Sequence, residues 1–224
     1  YVQDIPGLPR VLSLGDSISR AVTSSMHADK QWMQRINLHA APQNCFGFSK
    51  YWKYLRIWLG TCAWNAVQFN IGAHVGGNGT GSLAAYARDL KHVIEEIRRH
   101  SPQARVIVAA TTPSPWDSAA TQPRREECSP AHAYDRLHVA GAVPQLNQVA
   151  QQVASNLSAV YNDRYAVVYG NLSNLQRPCD IHFQEQGYRL LAANDWRVIA
   201  ATVGVVRRTP SRAGEDRLEG LRHT

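Results

Sequence analysis

Short apolar segments alternate along this chain with longer segments whose apolar residues recur every three or four positions. A short apolar run is typical of a strand buried on both faces, whereas the longer spacing is typical of an amphipathic helix. The pattern predicts five strands, at residues 11–14, 35–40, 67–71, 105–110 and 165–169.

The helical spacing predicts a helix after every strand. After the fourth strand, an irregular segment comes before the helix. The predicted helices cover residues 19–30, 51–59, 82–100, 143–157 and 188–203, with a short helix at 171–175. Strands that alternate with helices predict an α/β fold in which helices cover both faces of a parallel sheet, that is, a three-layer α/β/α sandwich.

The chain length of 224 residues fits one such domain and is short for two. We expect residues 1–206 to form this domain and residues 207–224 to form a flexible basic tail, because the tail has no apolar periodicity. Residues 111–138 are long, irregular and proline-bearing, which indicates either a functional loop or a disordered one.

Composition narrows the classes of function. Hydrophobic residues make up 44% and charged residues 18% of the chain, as in an ordinary globular protein. The net charge of +7 suggests nucleic-acid binding, but no basic run is interleaved with aromatic residues. We therefore expect no nucleic-acid partner, and a basic surface that favours acidic partners. No apolar run approaches the ~20 residues of a membrane span.

Gly15, Asp16 and Ser17 follow the first predicted strand directly and precede a helix. A serine there lies at the carboxyl end of a strand, where open parallel sheets bind ligands, and beside the free N–H groups of a helix start. Alternatively, Asp16 or Ser17 only caps the helix. This stretch alone leaves both interpretations open.

Three other segments are predicted to end at the same edge of the sheet. They are residues 45–47, 72–74 and 179–182, and the last of them carries His182. The convergence of these segments on Ser17 is the functional argument, since none of them is specific by itself.

The segments also resemble, in order, the sequence blocks of the SGNH/GDSL hydrolase superfamily. The matching blocks are Leu14-Gly15-Asp16-Ser17-Ile18, then Gly47, then Gly72-Ala73-His74-Val75, then Asp180-Ile181-His182-Phe183. The resemblance spans residues 10–201 and implies a flavodoxin-like, five-stranded parallel sheet. It also implies an esterase, lipase, thioesterase or carbohydrate deacetylase activity.

The resemblance implies a role for each block. Ser17 would be the nucleophile, His182 the base and Asp180 the acid that orients the imidazole. Gly47 would supply an oxyanion-hole N–H together with Ser17, and His74 would stand where the family usually has a side-chain amide donor.

Two departures from the usual pattern accompany these assignments. His74 takes the place of the usual amide donor, and Asp180 precedes His182 by two residues rather than the usual three. Because some branches of the superfamily share both features, we interpret these two departures as a subfamily signature. Val75 stands where those branches keep an acid, and the signature does not explain it.

The four cysteines include no Cys-x-x-Cys pair, so we expect no metal site. Cys45 and Cys179 flank the predicted site; we expect buried thiols first, a disulfide second and a nucleophile third. Three Asn-x-Ser/Thr sequons weakly favour a secreted or periplasmic protein over a cytoplasmic one.

The resulting expectation is a serine esterase that needs no metal or cofactor and acts on short acyl or O-acetyl esters, carbohydrate esters among them. The alternatives are a lipase or thioesterase of the same superfamily and a non-catalytic carbohydrate-binding relative. The sequence makes no prediction of oligomeric state.

Overall fold

The computed structural model describes residues 3–41, 48–72, 82–115 and 142–205. Its strands are β1 (Arg10–Leu14), β2 (Asn37–Ala40), β3 (Ala66–Phe69), β4 (Arg105–Ala109) and β5 (Val160–Asn162). They form one sheet in the order β2-β1-β3-β4-β5, and every neighbouring pair is parallel. This is the flavodoxin-like order, so the predicted α/β fold with a five-stranded parallel sheet is confirmed.

Helices cover both faces of the sheet. They are α1 (Ser17–Ala28), α2 (Lys30–Met33), α3 (Phe48–Leu59), α4 (Leu83–His100), α5 (Ala142–Asn156), α6 (Arg164–Tyr169), α7 (Leu172–Leu175) and α8 (Glu185–Thr202). Helices α3, α4 and α5 pack on one face, and α1, α6, α7 and α8 pack on the other. The three predicted layers are therefore present.

Successive residues of the central strands enter opposite cores. In β1, Val11 packs against the α1/α8 side, whereas Leu12 and Leu14 pack against the α3/α4 side. In β4, Val106 and Ile107 divide in the same way. Because both faces are apolar, the strands show continuous apolar runs rather than alternation.

The predicted fifth strand is wrong. Residues 165–169 lie in helix α6, and the fifth strand is formed instead by the preceding Val160–Asn162. Asp163 caps α6 by accepting the N–H of Ala166 at 3.0 Å, and Tyr165 stacks on Tyr169 one helical turn later. Apolar residues rich in valine and tyrosine favour a strand locally, but the cap and the i,i+4 contact stabilise a helix.

Three helices begin two or three residues earlier than predicted: α1 at Ser17 rather than residue 19, α3 at Phe48 rather than residue 51, and α8 at Glu185 rather than residue 188. Most of the predicted 111–138 loop and the 207–224 tail lie outside the described residues, so these two expectations remain predictions. Within the described ranges, none of the helices is both long and apolar enough to cross a membrane.

Candidate functional site

The turn between β1 and α1 presents Ser17 as the first residue of the helix. Asp16, which is 1% exposed, is the N-cap, and its Oδ1 accepts the N–H groups of Ile18 and Ser19 at 3.1 Å each. Asp16 therefore caps the helix, as one of the two interpretations predicted, and Ser17 is left half-buried between the end of β1 and the start of α1.

Gly15 is required by the sharpness of this turn. A Cβ at this position would lie 2.3 Å from Ser19 Oγ and 2.4 Å from Ser19 Cβ. A side chain at residue 15 would therefore push the first turn of α1, and Ser17 with it, away from the sheet.

The histidine comes from a folded-back segment between α7 and α8. Gln176 and Phe183 form an isolated antiparallel bridge, and the N–H of Arg177 donates to the carbonyl of His182 at 2.9 Å. The segment follows α7, which lies where the sequence predicted a short helix at 171–175. It returns to the sheet edge where Ser17 lies.

Three predicted residues form a chain of hydrogen bonds at this edge. Ser17 Oγ lies 2.7 Å from His182 Nε2, and His182 Nδ1 lies 2.7 Å from Asp180 Oδ1. The structure thus brings Ser17, His182 and Asp180 together, although Ser17 and His182 are 165 positions apart in sequence.

The two-residue spacing of the acid and the histidine is accommodated by a turn. Asp180 Oδ1 also accepts the backbone N–H of His182 at 3.1 Å, which is the hydrogen bond of an Asx turn. This second hydrogen bond places the Asp180 carboxylate beside the His182 imidazole, although the segment is a turn and is not extended.

The charge state of Asp180 fixes the direction of these hydrogen bonds. Burial raises the pKa of the Asp180 carboxyl, but the hydrogen bonds from the His182 side chain and backbone outweigh it, so the pKa lies below its ordinary value of 3.8. An ionised carboxylate only accepts hydrogen bonds, so Nδ1 carries the imidazole proton. In the neutral ring Nε2 is then the acceptor for the Ser17 hydroxyl.

The amide of Ser17 is available for an anion. The N–H groups of Ile18 and Ser19 donate to the Asp16 carboxylate, and that of Arg20 donates to the Asp16 carbonyl. Among the described residues, the Ser17 N–H has no acceptor, and it lies at a helix N-terminus that favours negative charge. Gly47 and His74, the other predicted oxyanion residues, lie outside the described residues, as do Cys45 and Val75.

Cys179 corrects the expectation of a buried thiol. It is half-buried and disulfide-bonded, and its φ of +57° lies in the left-handed region. A covalent link here restrains the residue directly before Asp180 in a conformation that non-glycine residues adopt rarely. Cys62, by contrast, is a free, half-buried thiol.

One supporting residue was missed by the sequence. Gln176 is 4% exposed, and its side-chain amide donates to the carbonyl of Pro113 at 2.7 Å and to that of Ile181 at 3.3 Å. Gln176 thus connects the segment that carries His182 with the residues that follow β4. The sequence contains no local pattern that predicts this contact, because the Pro113 partner lies 63 residues away.

Within the described part of the chain, no group of three or more histidine, cysteine, aspartate or glutamate side chains is placed to hold a metal ion.

These hydrogen bonds lie at the carboxyl edge of a doubly wound parallel sheet, where folds of this class bind their ligands. The chain belongs to the GDSL-like Lipase/Acylhydrolase family, whose model matches residues 13–190. It is therefore a hydrolase of the esterase/acylhydrolase class. A comparison with curated proteins finds no match.

Solved structures share the fold at low sequence identity. A lipase/acylhydrolase from Enterococcus faecalis is 20% identical, with a TM-score of 0.64 over 87% of this chain and 96% of that one. A carbohydrate acetylesterase family member from Sinorhizobium meliloti is 16% identical, with a TM-score of 0.63 over 88% and 100%. A psychrotrophic esterase from Pseudoalteromonas sp. is 14% identical, with a TM-score of 0.64 over 87% and 98%.

Proposed function

We propose that the protein is a serine-dependent carboxylic ester hydrolase that works through an acyl-enzyme on Ser17. The observation that carries the proposal is the 2.7 Å separation between Ser17 Oγ and an imidazole nitrogen, His182 Nε2, that is free to accept a proton. Asp180 holds the opposite ring nitrogen at 2.7 Å and thereby selects that tautomer.

In the first half-reaction, Ser17 Oγ attacks the ester carbonyl carbon while His182 Nε2 takes the hydroxyl proton. The tetrahedral intermediate places its negative charge on the former carbonyl oxygen. As the intermediate collapses, the bond to the leaving alcohol breaks, and His182 gives that alcohol the proton it took.

In the second half-reaction, water attacks the acyl group on Ser17 while His182 again accepts a proton. Collapse returns the proton to Ser17 Oγ and releases the carboxylic acid. Asp180 remains ionised throughout and stabilises the imidazolium.

The oxyanion is stabilised by the Ser17 N–H, with Gly47 and His74 as the further donors that the family resemblance assigns. Each preorganised donor of this kind lowers a barrier by about 3–4 kcal/mol in well-studied acyl-transfer enzymes. A histidine donor makes this contribution dependent on the tautomer and charge of His74.

For the substrate we propose short acyl esters, with O-acetyl groups on carbohydrate as the natural class. The sequence has no long apolar stretch near the site that could bind a fatty chain. The similarity to the carbohydrate acetylesterase family member supports the same choice.

The test is p-nitrophenyl acetate turnover by the parent and by Ser17→Ala. We expect kcat to fall by at least about 10³-fold, since removal of a serine nucleophile abolishes the covalent route. Ser24→Ala, which removes an exposed hydroxyl from the same helix, is the matched control and keeps the parent rate. Equal rates for the parent and Ser17→Ala would leave only a binding function.

A fluorophosphonate probe tests the nucleophile without a substrate. The Pseudoalteromonas esterase was solved inhibited by monoethylphosphonate, so phosphonate chemistry is a fitting probe for this fold. We expect one adduct, on Ser17, by mass spectrometry. An acyl-length series of p-nitrophenyl esters then tests the substrate class, and activity that rises steadily with chain length would favour the lipase alternative.

A further inference from the structure

A buried ion pair lies beneath the site and is not explained by the reaction itself. Arg164 and Asp195 are each 1% exposed, and the guanidinium donates to both carboxylate oxygens, at 3.0 Å from Nε and 2.5 Å from Nη2. The Asp195 carboxylate also accepts the side-chain amides of Gln68 and Asn162 at 2.7 Å each. The charge of Asp195 is thus fully hydrogen-bonded by residues from β3, β5 and α6.

The remaining arm of the guanidinium reaches the helix that carries the nucleophile. Arg164 Nη1 donates to Ser19 Oγ at 2.9 Å, and Ser19 is 2% exposed. Ser19 in turn donates its backbone N–H to Asp16 and leaves no room for a Cβ on Gly15. The Ser19 side chain therefore contacts both Arg164 of the buried ion pair and the turn that presents Ser17.

The other end of the network reaches the helix that follows the histidine. Asp195 lies on α8, which begins three residues after His182 and packs against α1. The ion pair thus connects the helix of the nucleophile with the helix of the base.

Stability alone is a weak reason to keep such a pair, because well-packed apolar residues of similar volume often serve as well. A bidentate guanidinium, however, fixes directions that apolar packing does not. We propose that Arg164, Asp195 and Ser19 are positioning residues, which hold the first turn of α1 against α8 and so set the distance from Ser17 Oγ to His182 Nε2. This inference rests on the function proposed above.

Ser19→Ala is the sharpest test, because it removes the link to the turn and leaves the ion pair intact. We expect Ser19→Ala to lengthen the distance from Ser17 Oγ to His182 Nε2. This change lowers kcat about 10-fold or more, because small misplacements of reacting groups slow the chemical step. The KM for p-nitrophenyl acetate stays within about 2-fold, because the contact acts on the chemical step.

Thr23→Val is the matched control. Thr23 is also buried on α1, and its hydroxyl contacts Ser13 Oγ and the Ser19 carbonyl at 2.9 Å each, so Thr23→Val leaves the Arg164–Ser19 Oγ hydrogen bond in place. We expect it to lower the thermal unfolding temperature about as much as Ser19→Ala does and to keep the parent kcat. If both variants have the same kcat, the positioning role is wrong and Ser19 is only structural.

A crystal structure of Ser19→Ala separates failure of this inference from failure of the proposed function. The inference requires the Ser17 Oγ–His182 Nε2 separation to grow beyond hydrogen-bonding distance from its present 2.7 Å. This readout holds even if the parent hydrolyses no ester. An unchanged separation would overturn the positioning role, whereas an inactive, unlabelled parent would overturn only the esterase proposal.

Discussion

One oxygen atom, Oδ1 of Asp180, accepts hydrogen bonds from both the backbone and the imidazole of His182. The pairing is local in sequence, yet it depends on a turn whose shape the two-residue spacing does not specify. The disulfide-bonded Cys179, held at positive φ directly before Asp180, restrains the start of that turn.

Asp180→Asn tests the acid. The amide has a donor as well as an acceptor, so it can pair with an unprotonated Nδ1 and stabilise the wrong tautomer of His182. We expect kcat for p-nitrophenyl acetate to fall on the order of 10⁴-fold while the fold is kept, by analogy with the effect of this change in serine proteases. A variant that retains most of the parent kcat would show that Asp180 does not orient the base.

The same variant has a pH signature in stability. Because the pKa of folded Asp180 lies below its ordinary value of 3.8, the carboxylate stabilises the folded state above that pH and loses this effect as pH falls through the folded pKa. The difference in unfolding free energy between parent and Asp180→Asn should therefore be constant near neutrality and shrink below about pH 4. Urea unfolding across this range measures it, and a difference that instead grows towards acid would contradict the assignment.

At the level of single residues, the proximity of Ser17 and His182 could be predicted because each belongs to a short block that ends at the sheet edge. The disulfide at Cys179 could not be predicted, since spacing alone does not pair cysteines that are distant in sequence. The roles of Gly47 and His74 remain predictions.

Among the elements, α6 and β5 show where local pattern and tertiary structure disagree. The Val160–Asn162 strand is three residues long and ends in a buried asparagine, so it has no apolar run to reveal it. Its position is set by pairing with β4 and by the Asn162 bonds to Gln68 and Asp195. The longer helices could be predicted because their apolar periodicity extends over several turns. The longer strands could be predicted because their apolar residues face both cores.

The cap of α6 is testable. Asp163→Ala removes the acceptor of the Ala166 N–H and should lower the unfolding free energy by about 0.5–2 kcal/mol. Asp163→Asn, which can still cap, is the control and should cost less. Urea unfolding of both variants decides whether this cap, rather than packing alone, stabilises the helix; equal losses would point to the charge and not to the cap.

Across the whole molecule, the parallel sheet could be predicted from the alternation of strands and helices, and its flavodoxin-like form from the family resemblance, but the polar network that joins the layers could not. Arg164 bonds to partners 31 and 145 positions away, and Gln68 bonds to Asp195 across 127 positions. The sequence around these residues does not indicate that they are buried, because the partners of their polar and charged groups come from distant parts of the chain.

Arg164→Met tests this network as a global stabiliser. Removing one partner leaves the Asp195 charge buried without its cation, so we expect the unfolding free energy to fall by about 3–5 kcal/mol. Arg197→Met, an exposed arginine on the same helix as Asp195, should change it by less than about 0.5 kcal/mol. Comparable small losses from both variants in urea unfolding would show that the interior tolerates an unpaired Asp195.

The 165 positions between the alcohol and the imidazole also matter for biosynthesis. During translation the alcohol leaves the ribosome with the first strand, whereas the imidazole follows only after the fifth. A nascent or prematurely terminated polypeptide thus carries the Ser17 hydroxyl without the His182 imidazole. Ester cleavage would therefore show that synthesis has passed the last strand and that these two groups have come together.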